Sequence, residues 1–179
     1  MEQTLIRVTR ISHTVFETPD LARQVEYYSQ VMGFHVLSQT PAQAFLGSRV
    51  GQEVIGFEAG ASNRCRRIAF QVAPDFDHER IEAELRPFAI KQERRSDISP
   101  SIARATAFVD LKGTEIELFQ DQNEVSIPRS AGGIAPLKLG HIAFSVPSAP
   151  AITKFYVDAL GFRVSDWICL LYTSPSPRD

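Results

Sequence analysis

The chain has 179 residues, room for one domain or for one domain and part of another. Apolar residues make up 44% and charged residues 22%, the balance of a globular fold rather than of a disordered or fibrous one. A net charge of −2, two cysteines and no run near the roughly 18 apolar residues of a membrane helix argue against a nucleic-acid partner, a disulfide framework and a helical membrane span. The opening MEQTLIRVTR has no apolar core of signal-peptide length, and a reducing cytoplasm is the expected setting.

In chain order, Ile11, His13 and Val15 alternate with Ser12, Thr14 and Phe16, which predicts a strand. Thr18-Pro19-Asp20 breaks it and offers helix-start chemistry. Leu21, Val25, Tyr28 and Met32 then recur at helical spacing, and Gly33 ends the helix. Strands are predicted at Phe34 to Leu37, Gln43 to Gly47 and Glu53 to Glu58, which completes a βαβββ unit. A second unit opens near Cys65. Its first strand, Arg67 to Val72, matches the first copy with Phe16 falling on Phe70. Asp75 or Asp77 caps a helix carrying Ile81 and Leu85, and Pro87 ends it. Strands at Phe88 to Glu93, Ala103 to Val109 and Glu115 to Phe119 close this unit.

Residues 121–137, with Pro128, Gly132, Gly133 and Pro136, read as a linker. Residues 138–168 then repeat the start of the first unit without a gap. His13 falls on His141, Phe16 on Phe144, Tyr28 on Tyr156, Gly33 on Gly161 and Phe34 on Phe162. This third copy reaches only its second predicted strand. Residues 169–179, CLLYTSPSPRD, lose the pattern and resemble translated adapter sequence, so they are expected to be non-native.

The expected fold is α+β. Paired βαβββ modules over 8–120 share one cupped, mixed but mostly antiparallel sheet, followed by an incomplete third module. The strand carrying His-Thr-Val-Phe or His-Ile-Ala-Phe, the Tyr-Tyr or Phe-Tyr pair in the helix, and Met-Gly-Phe or Leu-Gly-Phe at its end resemble the vicinal oxygen chelate superfamily. That group includes glyoxalases, bleomycin-resistance proteins and type I extradiol ring-cleaving dioxygenases. The run of three units is most similar to the N-terminal part of an extradiol dioxygenase, which has four. The resemblance implies a parent enzyme that opens a catechol-type ring with Fe(II) and O₂. His141 would be its first metal ligand, with the other two ligands beyond residue 168. It implies a small aromatic diol as substrate, and it leaves homo-oligomerisation open. The chain as given would be inactive and would bind no iron, because one imidazole cannot supply a two-His-one-carboxylate set. Two other readings stand beside this one: a non-catalytic small-molecule-binding protein of the resistance type, and a glyoxalase-like metal-dependent lyase or isomerase.

The last reading needs a metal in the first pair. His13 and Glu117 stand at ligand positions implied by the resemblance, but the second unit carries Arg67 where the other copies carry histidine. A guanidinium stays protonated and has no lone pair to give. The first pair is therefore expected to be metal-free, with Arg67 and Glu117 approaching each other near His13. His35 and His78 are expected in solvated positions. Arg64, Arg66, Arg67, Arg94 and Arg95 are expected as solvated strand edges, and Tyr27, Tyr28, Phe155 and Tyr156 as core.

Overall fold

The computed structural model describes residues 6–123, 125, 127 and 132–165. The first unit comprises β1 (Val8–Thr18), α1 (Leu21–Gln30), β2 (His35–Gln39), β3 (Gln43–Gly47) and β4 (Glu53–Ala59). The second comprises β5 (Arg64–Val72), α2 (His78–Leu85), a 3-10 turn (Arg86–Phe88), β6 (Gln92–Ser99), β7 (Ile102–Val109) and β8 (Glu115–Phe119). All eight strands form one sheet in the order β2-β3-β4-β1-β5-β8-β7-β6. The first strands of the two units, β1 and β5, meet antiparallel at its centre. Each also lies parallel to the last strand of its own unit, β1 with β4 and β5 with β8. The remaining pairings are antiparallel hairpins. This is the cupped α+β arrangement expected from the repeat.

Local chemistry sets the element ends. The Asp20 carboxylate accepts from the Arg23 amide at 3.0 Å, and Asp77 does the same for Arg80 at 2.9 Å. Each satisfies one orphan donor of a helix first turn. Gly33 adopts φ +75° just past α1, and the Phe34 amide reaches back to the Tyr28 carbonyl at 3.0 Å. A side chain there would also strike the Gly132 carbonyl, because residues 132–135 run close over this helix end. The strand expected at Phe88 starts later, at Gln92. Pro87 sits in a 3-10 turn that ends with Ala89 at φ +53°, which turns Phe88 onto the core. Along β2, Val36 is the exposed residue and His35 is half-buried, the reverse of the expected facing.

Apolar residues fill both faces of the sheet. One layer packs Phe16, Leu46, Ile55 and Phe57 under Val25 and Tyr28 of α1. A second packs Ile68, Phe70, Ile116 and Leu118 under Ile81 and Leu85 of α2. The concave face holds Ala69, Ile102, Ala105 and Phe119. The sheet curls far enough for Ser101, in the β6–β7 turn, to donate to Glu53 at the start of β4 at 2.7 Å.

The third copy differs from its expectation. Its helix forms as α3 (Ala149–Leu160), ended by Gly161 at φ +67° with the same Phe162-to-Tyr156 bond that closes α1 at the matching residues. The strand expected around Leu139 to Val146 does not form. An isolated strand leaves its ladder groups unpaired, and no neighbour offers itself among the described residues. The apolar face of α3 instead docks on the first pair, where Phe155, Ala159 and Leu160 are buried in the α2-side core. Residues 121–123, 125, 127 and 132–137 carry no helix or strand. Trp167, Ile168 and the tail 169–179 lie outside the described residues. Among the described residues, no helix is long and apolar enough to cross a membrane.

Candidate functional site

Strands β1, β4, β5 and β8 each send a titratable side chain to the middle of the sheet. His13 is fully buried on β1, its Nδ1 lying 3.2 Å from Glu53 Oε1 and its ring edge-on to Phe45. Burial, and then the charge of Arg67, hold the imidazole down to a pKa of about 3, so it is neutral. Glu53 is fully buried as well, and burial raises its pKa against the hydrogen bonds from Ser101. Arg67 pairs with Glu58 at 2.6 Å and places Nε 3.6 Å from Glu117 Oε1. The expected approach of Arg67 and Glu117 near His13 is therefore present. Glu117 is buried, and desolvation outweighs Arg67 and pushes its carboxyl up to about 7. Arg95 pairs with Glu115 at 2.5 Å and completes the cluster.

The repeat makes the asymmetry of this site visible. Val15 faces Gly56 across β1 and β4, and Ala69, the matching residue, faces Glu117 across β5 and β8. Gly56 thus stands where the second unit has its carboxylate. A Cβ on Gly56 would lie 3.0 Å from the Phe45 ring, so this space is already filled. The two units share neither the basic position (His13 against Arg67) nor the acidic one (Gly56 against Glu117).

Sequence reasoning missed Glu53. Its distance in sequence from Ser101 hides it, and a glutamate opening a strand carries no motif. His78 is also a correction, because its Nδ1 lies 2.8 Å from Thr106 Oγ1 in a half-buried setting rather than in solvent. Only Arg94 and Arg95 lie on an edge strand, β6; Arg64, Arg66 and Arg67 lie on the central β5, which corrects the expected strand-edge placement. The arginines are also ion-paired: Arg64 with Glu17 at 2.8 Å and Arg94 with Glu82 at 2.6 Å. Phe155 and Tyr28 are core or packed against it, whereas Tyr27 is exposed.

His141, the metal-ligand candidate, is exposed on the segment before α3. Among the described residues, no three His, Cys, Asp or Glu side chains are grouped to hold a metal ion. The third copy makes its own polar contact nearby. Tyr156 of α3 donates to the buried Asp110 at 2.8 Å, and Lys112 pairs with Asp110 and lies 3.0 Å from the Tyr156 oxygen. Burial and then Asp110 raise the Tyr156 pKa, so the phenol keeps its proton. Beside it a cavity of about 380 Å³ opens, lined by Ile68, Phe70, Phe144, Ile152 and Phe162. Replacing Tyr156 with phenylalanine is expected to lower unfolding stability by about 1–2 kcal/mol, since Asp110 loses a donor in a buried site. An unchanged urea midpoint would mean that α3 is held by its apolar face alone.

Residues 10–118 match the family model described as Glyoxalase/Bleomycin resistance protein/Dioxygenase superfamily. Among solved structures, homoprotocatechuate 2,3-dioxygenase from Brevibacterium fuscum, in complex with 3,4-dihydroxyphenylacetate, is similar at 24% identity and a TM-score of 0.78. That match covers 91% of this chain and 53% of the enzyme. The Mn(II)-bound glyoxalase from Novosphingobium aromaticivorans is similar at 23% identity and a TM-score of 0.77, over 92% of this chain and 56% of that one. At such identities the likeness is one of fold. The chain spans about half the length of these relatives. No curated protein matches it in sequence.

Proposed function

The chain belongs to the glyoxalase/bleomycin resistance protein/dioxygenase superfamily, and from that premise we propose that it is the N-terminal part of an extradiol dioxygenase acting on a catechol-type substrate. The observation that carries this reading is the third copy. A completed pair of units is followed by a gap-free repeat of the first, with His141 at the position of His13. A pair that functioned alone would need no third unit. The solved relatives, about twice as long, leave room for two further units.

In this reading the first pair is a scaffold and His141 is one donor of a metal site whose other donors belong to a fourth unit. The described residues do not fit Fe(II) by themselves, since His141 stands without two further donors. No step of the ring opening is assigned to the residues of this chain. What the chain supplies is placement. The Asp110–Lys112–Tyr156 contact and the buried Phe155 and Leu160 fix α3 on the first pair, and residues 132–148 lead into that helix. A glyoxalase-type reaction in the first pair is disfavoured by Arg67 and Gly56, which stand where two donors would be needed.

The test is recovery of the longer reading frame and its expression with Fe(II) under anaerobic conditions. Addition of O₂ and 3,4-dihydroxyphenylacetate or catechol should give a yellow ring-opened product. His141→Ala in that protein should abolish the colour and the bound iron, while the 179-residue chain alone should give neither. A longer frame lacking a histidine on the first strand of a fourth unit and a glutamate near its end would overturn the proposal.

A further inference from the structure

Four buried polar atoms near the middle of the sheet have no hydrogen-bond partner: His13 Nε2, Glu53 Oε1, Arg67 Nε and Glu117 Oε2. They come from four different strands, and three of them belong to side chains that are at most 1% exposed. A buried polar atom left unpaired costs about 1–3 kcal/mol, so several together call for a reason. Three of the four side chains are metal-donor types, an imidazole held neutral and two carboxylates. The fourth is a cation, the nearer to Glu117 of two, since Arg95 lies 3.9 Å from the same carboxylate. Arg67 reaches Glu58 and Glu117 at 2.6 and 3.6 Å, so its charge offsets carboxylates that burial would otherwise strand. The same fold holds Mn(II) in a glyoxalase. In this chain a guanidinium stands among the donors.

We propose that Arg67 is a tethered cation that keeps the first pair's cup closed to metal ions, and that replacing it with a neutral donor side chain completes a divalent-cation site with His13 and Glu117. Arg67→His places a second imidazole beside His13 and Glu117. That makes a two-imidazole, one-carboxylate set of the kind that suits divalent first-row metals, with Glu53 held next to His13. Electrostatics and donor count then act together. The variant gains a lone pair where the parent had a fixed positive charge, and it unmasks the negative charge of Glu58 and Glu117. The inference concerns the first pair alone, and its failure would leave the dioxygenase reading of the third unit untouched.

The experiment uses the full chain in a His141→Ala background, so that the exposed imidazole contributes nothing. Co(II) is titrated by calorimetry, and its visible absorption reports coordination by protein ligands. The parent is expected to show no saturable Co(II) binding and no thermal shift. Arg67→His is expected to take up one Co(II) per chain, at least about tenfold more tightly than the parent, and to melt higher with the ion than without it. Adding Glu117→Gln or His13→Ala should remove that gain. Arg67→Gln, neutral and less disruptive, should show a weaker gain of the same kind, and it guards against an Arg67→His chain that fails to fold. Stoichiometric Co(II) uptake by the parent would overturn the proposal. So would a folded Arg67→His or Arg67→Gln without gain, or a gain that survives loss of both His13 and Glu117. An Arg67→His chain that stays unfolded with the ion present also counts against it, because binding should drive folding.

Discussion

Replacing Arg67 with methionine is expected to destabilise the folded chain by about 3–5 kcal/mol at pH 8, the loss typical of a buried ion pair deprived of one partner. Methionine keeps much of the volume and removes the charge. Glu58 then loses its 2.6 Å partner, and Glu117 loses the nearer of its two cations, with Arg95 still 3.9 Å away. The penalty comes from leaving carboxylates desolvated rather than from the attraction lost. It should therefore shrink at pH 5, where Glu117, with its pKa near 7, is already neutral. Urea unfolding of both proteins at the two pH values measures it. A difference below about 1 kcal/mol at pH 8 would show that water screens the cluster as it does a surface pair.

Much of this site was legible because the chain repeats itself. The offset between copies places Arg67 on His13 before any coordinates are known, and the last strand of the second unit carries Glu117 in an alternating pattern. The capping aspartates and Gly33 were legible too, since their roles depend on neighbours a few residues away. Asp75 and Asp77 could not be separated, because both precede the helix. The structure selects Asp77, whose carboxylate meets the Arg80 amide. Features set by distant partners stayed hidden. Glu53 matters through Ser101 and His13, which come near only when the sheet curls. Lys112 and Asp110 sit in a hairpin loop and gain meaning from Tyr156 of the third copy. The strand expected around His141 failed for the reverse reason. Its residues alternate correctly, but alternation describes a surface that needs a neighbour, and the helix behind it finds its packing without one.

Glu117→Gln is expected to gain about 3 kcal/mol relative to the parent as pH is raised from 5 to 8. Burial holds the Glu117 carboxyl at about 7, against an ordinary value of 4.5. The raised pKa means that folding favours the protonated form. The favourable contribution is complete below pH 4.5 and is lost as pH rises through 7, at 1.36 kcal/mol per unit of difference. Glutamine resembles the protonated carboxyl and cannot ionise, so the variant escapes that loss. His13 works in the opposite direction. Its pKa falls from 6.5 to about 3, so its contribution is complete above pH 6.5 and is lost as pH falls toward 3. Between pH 4.5 and 6.5 the two slopes oppose each other in the parent and flatten its profile. In Glu117→Gln one of the opposing slopes is gone, and stability should rise more steeply with pH across that range than in the parent. Parallel profiles for parent and variant would show that Arg67 holds Glu117 ionised throughout, and that the cluster is a permanent ion pair with no proton to exchange.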